Sequence, residues 1–298
     1  MARGRGVPAP APRSSGERAR GRPAPGRRPG AAGGTERRDT VDSFRSLGGE
    51  QIEGRRAVRE LLAANRRRVN ALWVGEDQDP SALLAEITDL ANARRVPVRL
   101  VGRGRVAAMA RTDAPQGVIA EAEALNDVPL DELIQGPADR ATFLLVLEGV
   151  TDPHNLGALL RSGDGAGVTG AVLPRHRSVH ITPTVAKAAA GAIEHVPMAL
   201  VAGVPAALAE LAKAGVWSVG LDEHGDQSLF DLTLATEPVA LVLGAEGSGL
   251  SRLARARCDV VVRIPQAGAL TSLNVAVAGA LACYEVARRR TPPATAAR

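Results

Sequence analysis

From residue 141 to residue 290, short apolar runs alternate with segments of helical periodicity, and this alternation constrains the fold more than any other feature. Apolar runs of this length, separated by helices, are typical of strands in a parallel sheet covered on both faces. The sequence therefore predicts an α/β fold. The predicted strands are 143–147, 170–173, 196–201, 216–221, 239–243 and 260–264, and the predicted helices are 156–166, 183–193, 204–214, 252–257 and 273–290.

Polar and glycine-containing loops follow the last two predicted strands. The first is Gly244-Ala-Glu-Gly-Ser-Gly249, and the second leads into a helix that opens with Ser272 and Asn274. Because ligands of open α/β sheets bind beyond the carboxyl ends of strands, these loops predict a small-molecule site. The glycine spacing differs from that of a dinucleotide fingerprint, and Glu246 would repel a pyrophosphate. A neutral or cationic ligand is therefore favoured.

A third polar loop lies before the helix predicted at 156–166. Asn155 directly precedes this helix and is predicted to cap it. Arg161 lies near the end of the second turn, and the small residues Gly157 and Ala158 leave its side chain room to reach back toward the loop. A guanidinium in that position could bind a phosphate or a carboxylate. The alternative is an ordinary solvated helix arginine.

Cysteine and histidine usage excludes several classes of site. Cys258 and Cys283 do not make a disulfide framework, which favours a reducing compartment, and we expect the cytoplasm. His176 and His180 are four residues apart but lack the glutamate of a zinc-binding helix, so no metal is expected. No apolar run is long enough to predict a membrane span.

The ends of the chain differ in composition from the rest. Residues 1–46 contain 11 arginines and four acidic residues and almost no large apolar side chains. They predict a disordered tail, which either binds a polyanion or is a dispensable extension. Residues 47–122 predict a small α/β module, 123–140 a linker with one short helix, and 293–298 a disordered carboxyl terminus.

Three blocks of sequence carry a resemblance to a known family. They are Asp152-Pro-His-Asn-Leu-Gly157 with Arg161, Leu243-Gly-Ala-Glu-Gly-Ser-Gly-Leu250, and Ile264-Pro265 followed by Ser272-Leu-Asn-Val275. In order and spacing they resemble the motifs of the SpoU (TrmH-type) branch of the SPOUT RNA 2′-O-ribose methyltransferases, with 141–292 as the methyltransferase domain. Residues 47–122 look like that family's L30e-like substrate-binding domain. The layout is most similar to the 23S rRNA guanosine-2′-O-methyltransferases.

The resemblance implies a fold and an assembly that periodicity does not indicate. Members of the family tie the carboxyl-terminal part of the parallel sheet into a deep trefoil knot, which ordinary topology rules treat as an exception. They also form homodimers through the knotted domain. The long final helix is therefore expected to bury an apolar face against a partner.

The resemblance also implies a reaction, namely transfer of a methyl group from S-adenosyl-L-methionine to a ribose 2′-hydroxyl of RNA, here a guanosine of 23S rRNA. The remaining alternatives are tRNA as substrate, a catalytically inactive RNA-binding relative, and a nicotinamide oxidoreductase, whose fingerprint is missing. By resemblance, the cofactor pocket is lined by Gly244, Ile264 and Leu273, the active-site geometry is held by Glu246, Ser272 and Asn274, and the target ribose and phosphate are faced by Asn155 and Arg161.

RNA recognition is expected to rest on charge. Aromatic residues are only 2% of the chain, too few for the stacking platforms of single-strand binders. Phosphate contacts are therefore expected from the tail and from arginines of the amino-terminal module, each of which could instead be a solvated surface charge. These arginines are Arg55, Arg56, Arg66, Arg67 and Arg68.

Overall fold

A computed structural model describes residues 46–176, 179–269 and 272–291. The segments predicted to be disordered, 1–46 and 293–298, lie outside these residues apart from Ser46. Within the described part of the chain, no helix combines the length and hydrophobicity needed to cross a membrane.

The amino-terminal module is built on a mixed four-stranded sheet. Its strand order is β2-β5-β3-β4, in which β3 and β4 are parallel and the other pairs are antiparallel, and β1 and β6 form a separate two-stranded ribbon. The elements are β1 Ser46–Gly48, β2 Gln51–Glu53, α1 Arg55–Ala64, β3 Val69–Gly75, α2 Ala82–Ala93, β4 Val98–Val101, α3 Arg103–Met109, β5 Val118–Ala122 and β6 Leu125–Asn126.

The helices of this module pack as their periodicity predicts. Helix α1 buries Val58 and Leu61 on one face, and α2 begins at Ser81, whose hydroxyl accepts a hydrogen bond from the Leu84 amide. This side-chain cap satisfies one of the amides that a helix start leaves unpaired. Periodicity gives little indication of the short elements β1, β2, β6 and α3, because strands of two or three residues and a short helix with Arg103 and Arg105 carry little apolar signal.

The carboxyl-terminal module contains a seven-stranded sheet of order β11-β13-β10-β12-β7-β8-β9, and every neighbouring pair is parallel. The predicted α/β fold with a parallel sheet is confirmed. The elements are α4 Leu130–Gln135, β7 Phe143–Leu147, α5 Pro153–Gly165, β8 Gly170–Pro174, α6 Pro183–Ala188, β9 Met198–Val201, α7 Val204–Lys213, β10 Trp217–Leu221, β11 Gln227–Ser228, β12 Val239–Leu243, α8 Arg252–Arg255, β13 Val260–Arg263 and α9 Val275–Arg290.

Strands β7, β8 and β12 are buried along their whole length, which explains their uninterrupted apolar sequences. Helices α5 and α9 cover this central part of the sheet. Gly279 of α9 permits the close approach, because a Cβ atom there would lie 2.3 Å from Leu159 and 2.9 Å from Leu243. The end of α9 is anchored by Arg290, which donates hydrogen bonds to the carbonyls of Ala235, Ala141, Thr142 and Glu237.

The helix predicted at 183–193 is interrupted. Helix α6 ends at Ala188, and a short 3₁₀ turn, Ala192–Glu194, follows after Ala190 and Gly191, both with positive φ. A Cβ atom at Gly191 would lie 2.2 Å from the Cβ of Glu60 on α1. The break therefore lets the two modules approach closely at this point, a tertiary requirement that helical periodicity does not reveal.

Candidate functional site

A pocket of about 530 Å³ lies beyond the carboxyl ends of β10, β12 and β13. Parallel strands bring their carboxyl-terminal loops to one edge of the sheet, so loops far apart in sequence meet here. The residues predicted to form the cofactor site, Gly244, Ile264 and Leu273, all line the pocket, and so do Glu246, Ser272 and Asn274. The segment before Ser272 includes residues 270 and 271, which lie outside the described residues.

Three polar side chains connect the three loops directly. The amide nitrogen of Asn155 donates a 2.7 Å hydrogen bond to Oε1 of Glu246, and the amide nitrogen of Asn274 donates a 2.9 Å bond to the same oxygen. Asn274 Nδ2 also lies 3.0 Å from Oδ1 of Asn155. One carboxylate oxygen therefore holds together the starts of α5 and α9 through two asparagines that are 119 residues apart.

Each asparagine reaches this contact because of its place at a helix start. Asn274 is the N-cap of α9, and its Oδ1 accepts from the amides of Ala276 and Val277, which directs its Nδ2 to the pocket. Asn155, which was predicted to cap α5, does not do so. Asp152 is the cap, because its carboxylate accepts from the His154 amide and Pro153 follows at the first helical position. Asn155 therefore lies in the first turn, with its amide free to bond Glu246.

The glycine loop after β12 folds back on itself tightly. The backbones of Ala245 and Gly249 exchange hydrogen bonds of 3.1 and 2.9 Å, and Gly247 and Gly249 adopt positive φ angles of 78° and 63°. A Cβ atom on Gly244 would lie 2.1 Å from the carbonyl carbon of Gly249. The GxxGxG spacing is thus explained by this turn and by a backbone contact that admits no side chain at position 244.

The loop after β10 adds a wall that sequence reasoning missed. Asp222, Glu223 and His224 also line the pocket, and Asp222 forms a 2.7 Å ion pair with Arg255. Position beyond the carboxyl end of a central parallel strand was the available signal. The described residues that line the pocket include three carboxylates and no arginine or lysine, an electrostatic environment that favours a neutral or cationic ligand.

Arg161 lies elsewhere. Its exposed side chain lines a larger groove of about 1120 Å³ between the two modules, together with Lys187 of α6 and Arg55, Arg56 and Arg103 of the amino-terminal module. It makes no hydrogen bond or ion pair with any described residue, so the predicted reach back toward its own loop is not seen. Within one chain, the structure does not bring Arg161 into contact with Asn155, Glu246 or Asn274.

A buried carboxylate shapes one side of this groove. Glu53 is fully buried and accepts hydrogen bonds from the Arg111 amide and from both the amide and the hydroxyl of Thr112. These neutral donors compensate for its burial. They also hold the chain that continues into residues 113–117, which line the groove.

The arginines predicted to bind RNA divide into engaged and free groups. Arg67 is buried and forms a bidentate pair with Glu194 of the carboxyl-terminal module, at 2.6 and 3.0 Å, and also donates to the carbonyls of Gly49 and Glu123. All three guanidinium nitrogens of Arg67 donate to protein acceptors, so its side chain is held by the protein, and the predicted contact with RNA stays a prediction. Arg55 bonds Gln116, Ser81 and Gln78, and Arg66 bonds the carbonyls of Glu194 and His195. The side chains of Arg56 and Arg68 have no hydrogen-bond or ion-pair partner among the described residues.

Neither cysteine has the character of a reactive thiol. Burial raises the pKa of the Cys283 thiol to about 12, and burial together with the nearby Asp259 carboxylate raises that of Cys258 to about 12. Both are free thiols. Among the residues described, no three histidine, cysteine or acidic side chains are grouped as metal ligands.

The fold and the site define a two-module α/β protein with a small-molecule pocket beyond the carboxyl ends of a parallel sheet. Residues 142–284 match the SpoU rRNA Methylase family, and residues 51–128 match the family described as RNA 2′-O ribose methyltransferase substrate binding. The chain belongs to the SpoU rRNA methylase family, as the three sequence blocks predicted.

Two curated relatives and one solved structure illustrate the similarity. The 23S rRNA (guanosine-2′-O-)-methyltransferase RlmB of Pseudomonas aeruginosa is 39% identical and is aligned over 82% of this chain and 98% of its own. RlmB of Ralstonia nicotianae is 45% identical over 68% of this chain and 80% of its own. The crystal structure of the SpoU methyltransferase AviRb from Streptomyces viridochromogenes with the cofactor AdoMet has a TM-score of 0.68 at 27% identity, covering 80% of this chain and 89% of that one.

Proposed function

We propose that this protein transfers a methyl group from S-adenosyl-L-methionine to the ribose 2′-hydroxyl of a guanosine in 23S rRNA. One observation carries the proposal: the Asn155–Glu246–Asn274 contact, which joins the three motif loops beside the pocket. Relatives that are 39% and 45% identical are named for this reaction.

The shape and charge of the pocket are compatible with S-adenosyl-L-methionine. In the glycine cradle, a Cβ atom on Gly244 would overlap the Gly249 backbone, so the pocket is lined at this point by a residue that has no side chain. The carboxylates of Asp222, Glu223 and Glu246 suit a ligand that carries a positive sulfonium and an amino group. When bound, S-adenosyl-L-methionine supplies an electrophilic methyl group, so the protein's task is alignment of the ribose hydroxyl and removal of its proton. We assign adenine recognition to the backbone of Gly244, Ile264 and Leu273.

The remaining site residues are assigned to positioning. Glu246, with Asn155 and Asn274, fixes the loops around the pocket, and Ser272 lies exposed on its rim. Asn155 would face the target ribose. Arg161 would hold the phosphate next to it, because a guanidinium binds phosphate well and releases its proton only at high pH. Its exposed place in the groove between the modules, free of protein partners in the described structure, supports a phosphate role.

The same proposal includes a homodimer formed through α9. This helix exposes Val277, Leu281 and Tyr284, which are four and three residues apart and therefore lie on one face. Leu273, which lines the pocket, is also partly exposed beside this face. An exposed apolar stripe of this kind is typical of an interface. Sedimentation of the wild type as a dimer and of Leu281→Arg as a monomer would support this assignment, and a monomeric wild type would contradict it.

The finer fold assignments are likewise proposals. We infer a trefoil knot in 141–292, an L30e-like fold for 47–122, a linker at 123–140 and tails at 1–46 and 293–298. The mixed sheet of the first module and the helix Leu130–Gln135 inside the linker are compatible with these boundaries. We also propose that the protein acts in the cytoplasm, because its two cysteines are free thiols.

The test is methyl transfer from labelled S-adenosyl-L-methionine to unmodified 23S rRNA and, in parallel, to bulk tRNA, with Arg161→Ala as the comparison. Label in 23S rRNA that is absent with Arg161→Ala is the expected result. Label in tRNA alone would preserve the reaction and replace the substrate. Cofactor binding without transfer to either RNA would favour the inactive RNA-binding relative, and absence of cofactor binding would overturn the proposal.

A further inference from the structure

The amino-terminal module has a second charged pocket, separate from the groove that contains Arg161. It has a volume of about 420 Å³ and lies where the carboxyl ends of α1 and α2 meet. No aspartate or glutamate is among the described residues that line it. Its polar lining consists of Asn65, Arg67, Arg68, Asn70, Arg94 and Arg95.

Three of the four arginines are not neutralised by carboxylates. Arg67 lines the pocket but is paired with Glu194, as described above, so its charge is already neutralised. Arg68 and Arg95 are exposed, and their side chains form no hydrogen bond or ion pair with the described part of the protein. Arg94 donates one hydrogen bond, from Nη2 to the carbonyl of Ala63 at 3.2 Å. The pocket therefore concentrates three positive charges that lack a carboxylate partner.

Arg94 also carries an unpaired donor. Its Nη1 atom is buried and has no hydrogen-bond partner, the one such side-chain atom among the residues described. A buried donor without an acceptor is unfavourable, and native structures usually satisfy it. Arg94 also lines the pocket, so an anion bound there is one acceptor that its guanidinium could reach if it reorients.

The backbone at Arg95 is held by the cap at the end of α2. Arg95 follows the end of α2 with a φ of 56°, its amide bonds the carbonyl of Asn92, and the Val96 amide bonds the carbonyl of Ala91. This is the Schellman arrangement, in which the residue with positive φ is usually glycine. The chain therefore has an arginine where glycine would be conformationally easier. The cap fixes the backbone of Arg95 at the edge of the pocket that its side chain lines.

We propose that Arg68, Arg94 and Arg95 form a subsite for a phosphodiester of the RNA substrate. This inference rests on the proposed function, and it lies in residues 51–128, which match the substrate-binding family. The subsite and the groove with Arg161 lie at opposite ends of α1, a ten-residue helix about 15 Å long. The subsite would therefore hold a phosphate a few nucleotides from the target ribose and would fix the register of the RNA strand.

The test measures RNA affinity as a function of salt with the full-length protein. Wild type, Arg68→Ala/Arg95→Gly and the control Arg105→Ala/Arg111→Ala would be titrated with a labelled fragment of unmodified 23S rRNA. The control removes two exposed arginines of the same module that do not line the pocket. For the pocket variant, the slope of log affinity against log salt is expected to fall by about two, which is about one for each arginine that no longer binds a phosphate. The KM for RNA should rise, with kcat and cofactor affinity unchanged.

Arg95→Gly alone separates a structural from a binding role. If the side chain binds RNA, this variant should bind RNA more weakly while its unfolding midpoint stays the same or rises, because glycine suits the positive φ. Unchanged RNA affinity and salt slope, or a change equal to that of the control pair, would overturn the proposal. A second result would also overturn it: inorganic phosphate raises the unfolding midpoint of the wild type but not of the pocket variant, while both bind RNA equally well. That result would indicate a site for a free anion.

Failure of the proposed function has a different signature. A wild type that binds S-adenosyl-L-methionine but neither binds nor methylates RNA would overturn the function and the subsite together. A wild type that methylates RNA, with a pocket variant whose KM is unchanged, would overturn the subsite only.

Discussion

The two modules differ in how much of their chemistry lies in the backbone. In the carboxyl-terminal module, the pocket depends on strand ends, a glycine turn and two helix starts, all of which have local sequence signals. In the amino-terminal module, function depends on which arginines are paired and which are free. Arg67 and Arg68 are adjacent in sequence, yet one is buried against Glu194 and the other is exposed. A site formed by strand ends, turns and helix starts can therefore be predicted from sequence. The role of a charged surface side chain cannot, because tertiary contacts determine whether it is paired.

The largest expected effect is a loss of stability when the ion pair between the two modules, Arg67–Glu194, is removed. Arg67→Ala leaves the Glu194 carboxylate buried without its partner, which should lower the free energy of unfolding by about 3–5 kcal/mol. Urea unfolding would be followed separately in each module, because Trp73 lies in the first and Trp217 in the second. Single-tryptophan variants make the two signals independent.

The control for this prediction is Arg59→Ala, which removes two partly exposed ion pairs, with Glu60 and with Glu86, and should leave both midpoints nearly unchanged. The double variant Arg67→Ala/Glu194→Ala should be less destabilised than the sum of its single variants, because the unpaired charge is gone. Additive effects would show that the pair does not couple the modules.

The next effect concerns the carboxylate shared by the two asparagines. Glu246→Ala removes the acceptor of both Asn155 and Asn274, so the glycine loop is no longer held to the starts of α5 and α9, which keep only the Asn274–Asn155 bond. Misplacement of reacting groups by about 1 Å can cost about 100-fold in rate, and we expect a decrease of that size in kcat. Single-turnover methyl transfer would measure it. The exposed Glu210→Ala, on α7, serves as control, and a Glu246→Ala variant as active as that control would refute the positioning role.

A smaller effect, limited to cofactor affinity, is expected from a substitution at Gly244 in the glycine loop. In Gly244→Ala the new Cβ atom would overlap the Gly249 backbone, so the loop must shift. We expect cofactor affinity to fall by about tenfold or more, in line with the 1–3 kcal/mol typical of overpacking. Calorimetric titration with S-adenosyl-L-methionine would test this. Gly268→Ala is the matched control, because its Cβ atom would meet nothing within 4 Å. Equal affinities of the two variants would contradict the cradle.

The smallest effect is a pH dependence at the contact between the modules. Burial alone would raise the pKa of Glu60, but hydrogen bonds from His195 and Arg59 outweigh it and hold the pKa below its ordinary value of 4.5. Its stabilising contribution is therefore complete above about pH 4.5 and is lost as pH falls through the lower folded pKa. In Glu60→Gln, the free energy of unfolding should fall less as the pH is lowered below about 4.5. Urea unfolding at several pH values, followed by the fluorescence of Trp73, would measure this. An unchanged pH profile in that variant would contradict the assignment.

Particular residues show how far sequence reasoning extends. The apolar runs located the strands within a few residues because burial on both faces leaves little choice of side chain. The motif loops located the pocket. Asn155 was misassigned because Asp152 and Pro153 form the stronger helix start nearby. The break after Ala188 was missed because it depends on Glu60, more than 120 residues earlier in the chain. The acidic wall at Asp222 was missed because its ion pair is a tertiary contact.

The proposed reaction can be decided by the chemical position of the transferred methyl group. After reaction of the wild-type protein with unmodified 23S rRNA and S-adenosyl-L-methionine, the RNA would be digested to nucleosides and analysed by mass spectrometry. We expect 2′-O-methylguanosine in the wild-type reaction and little or none with Glu246→Ala. A methyl group on a base, or no methylated nucleoside from a protein that binds the cofactor, would contradict ribose methylation by this site.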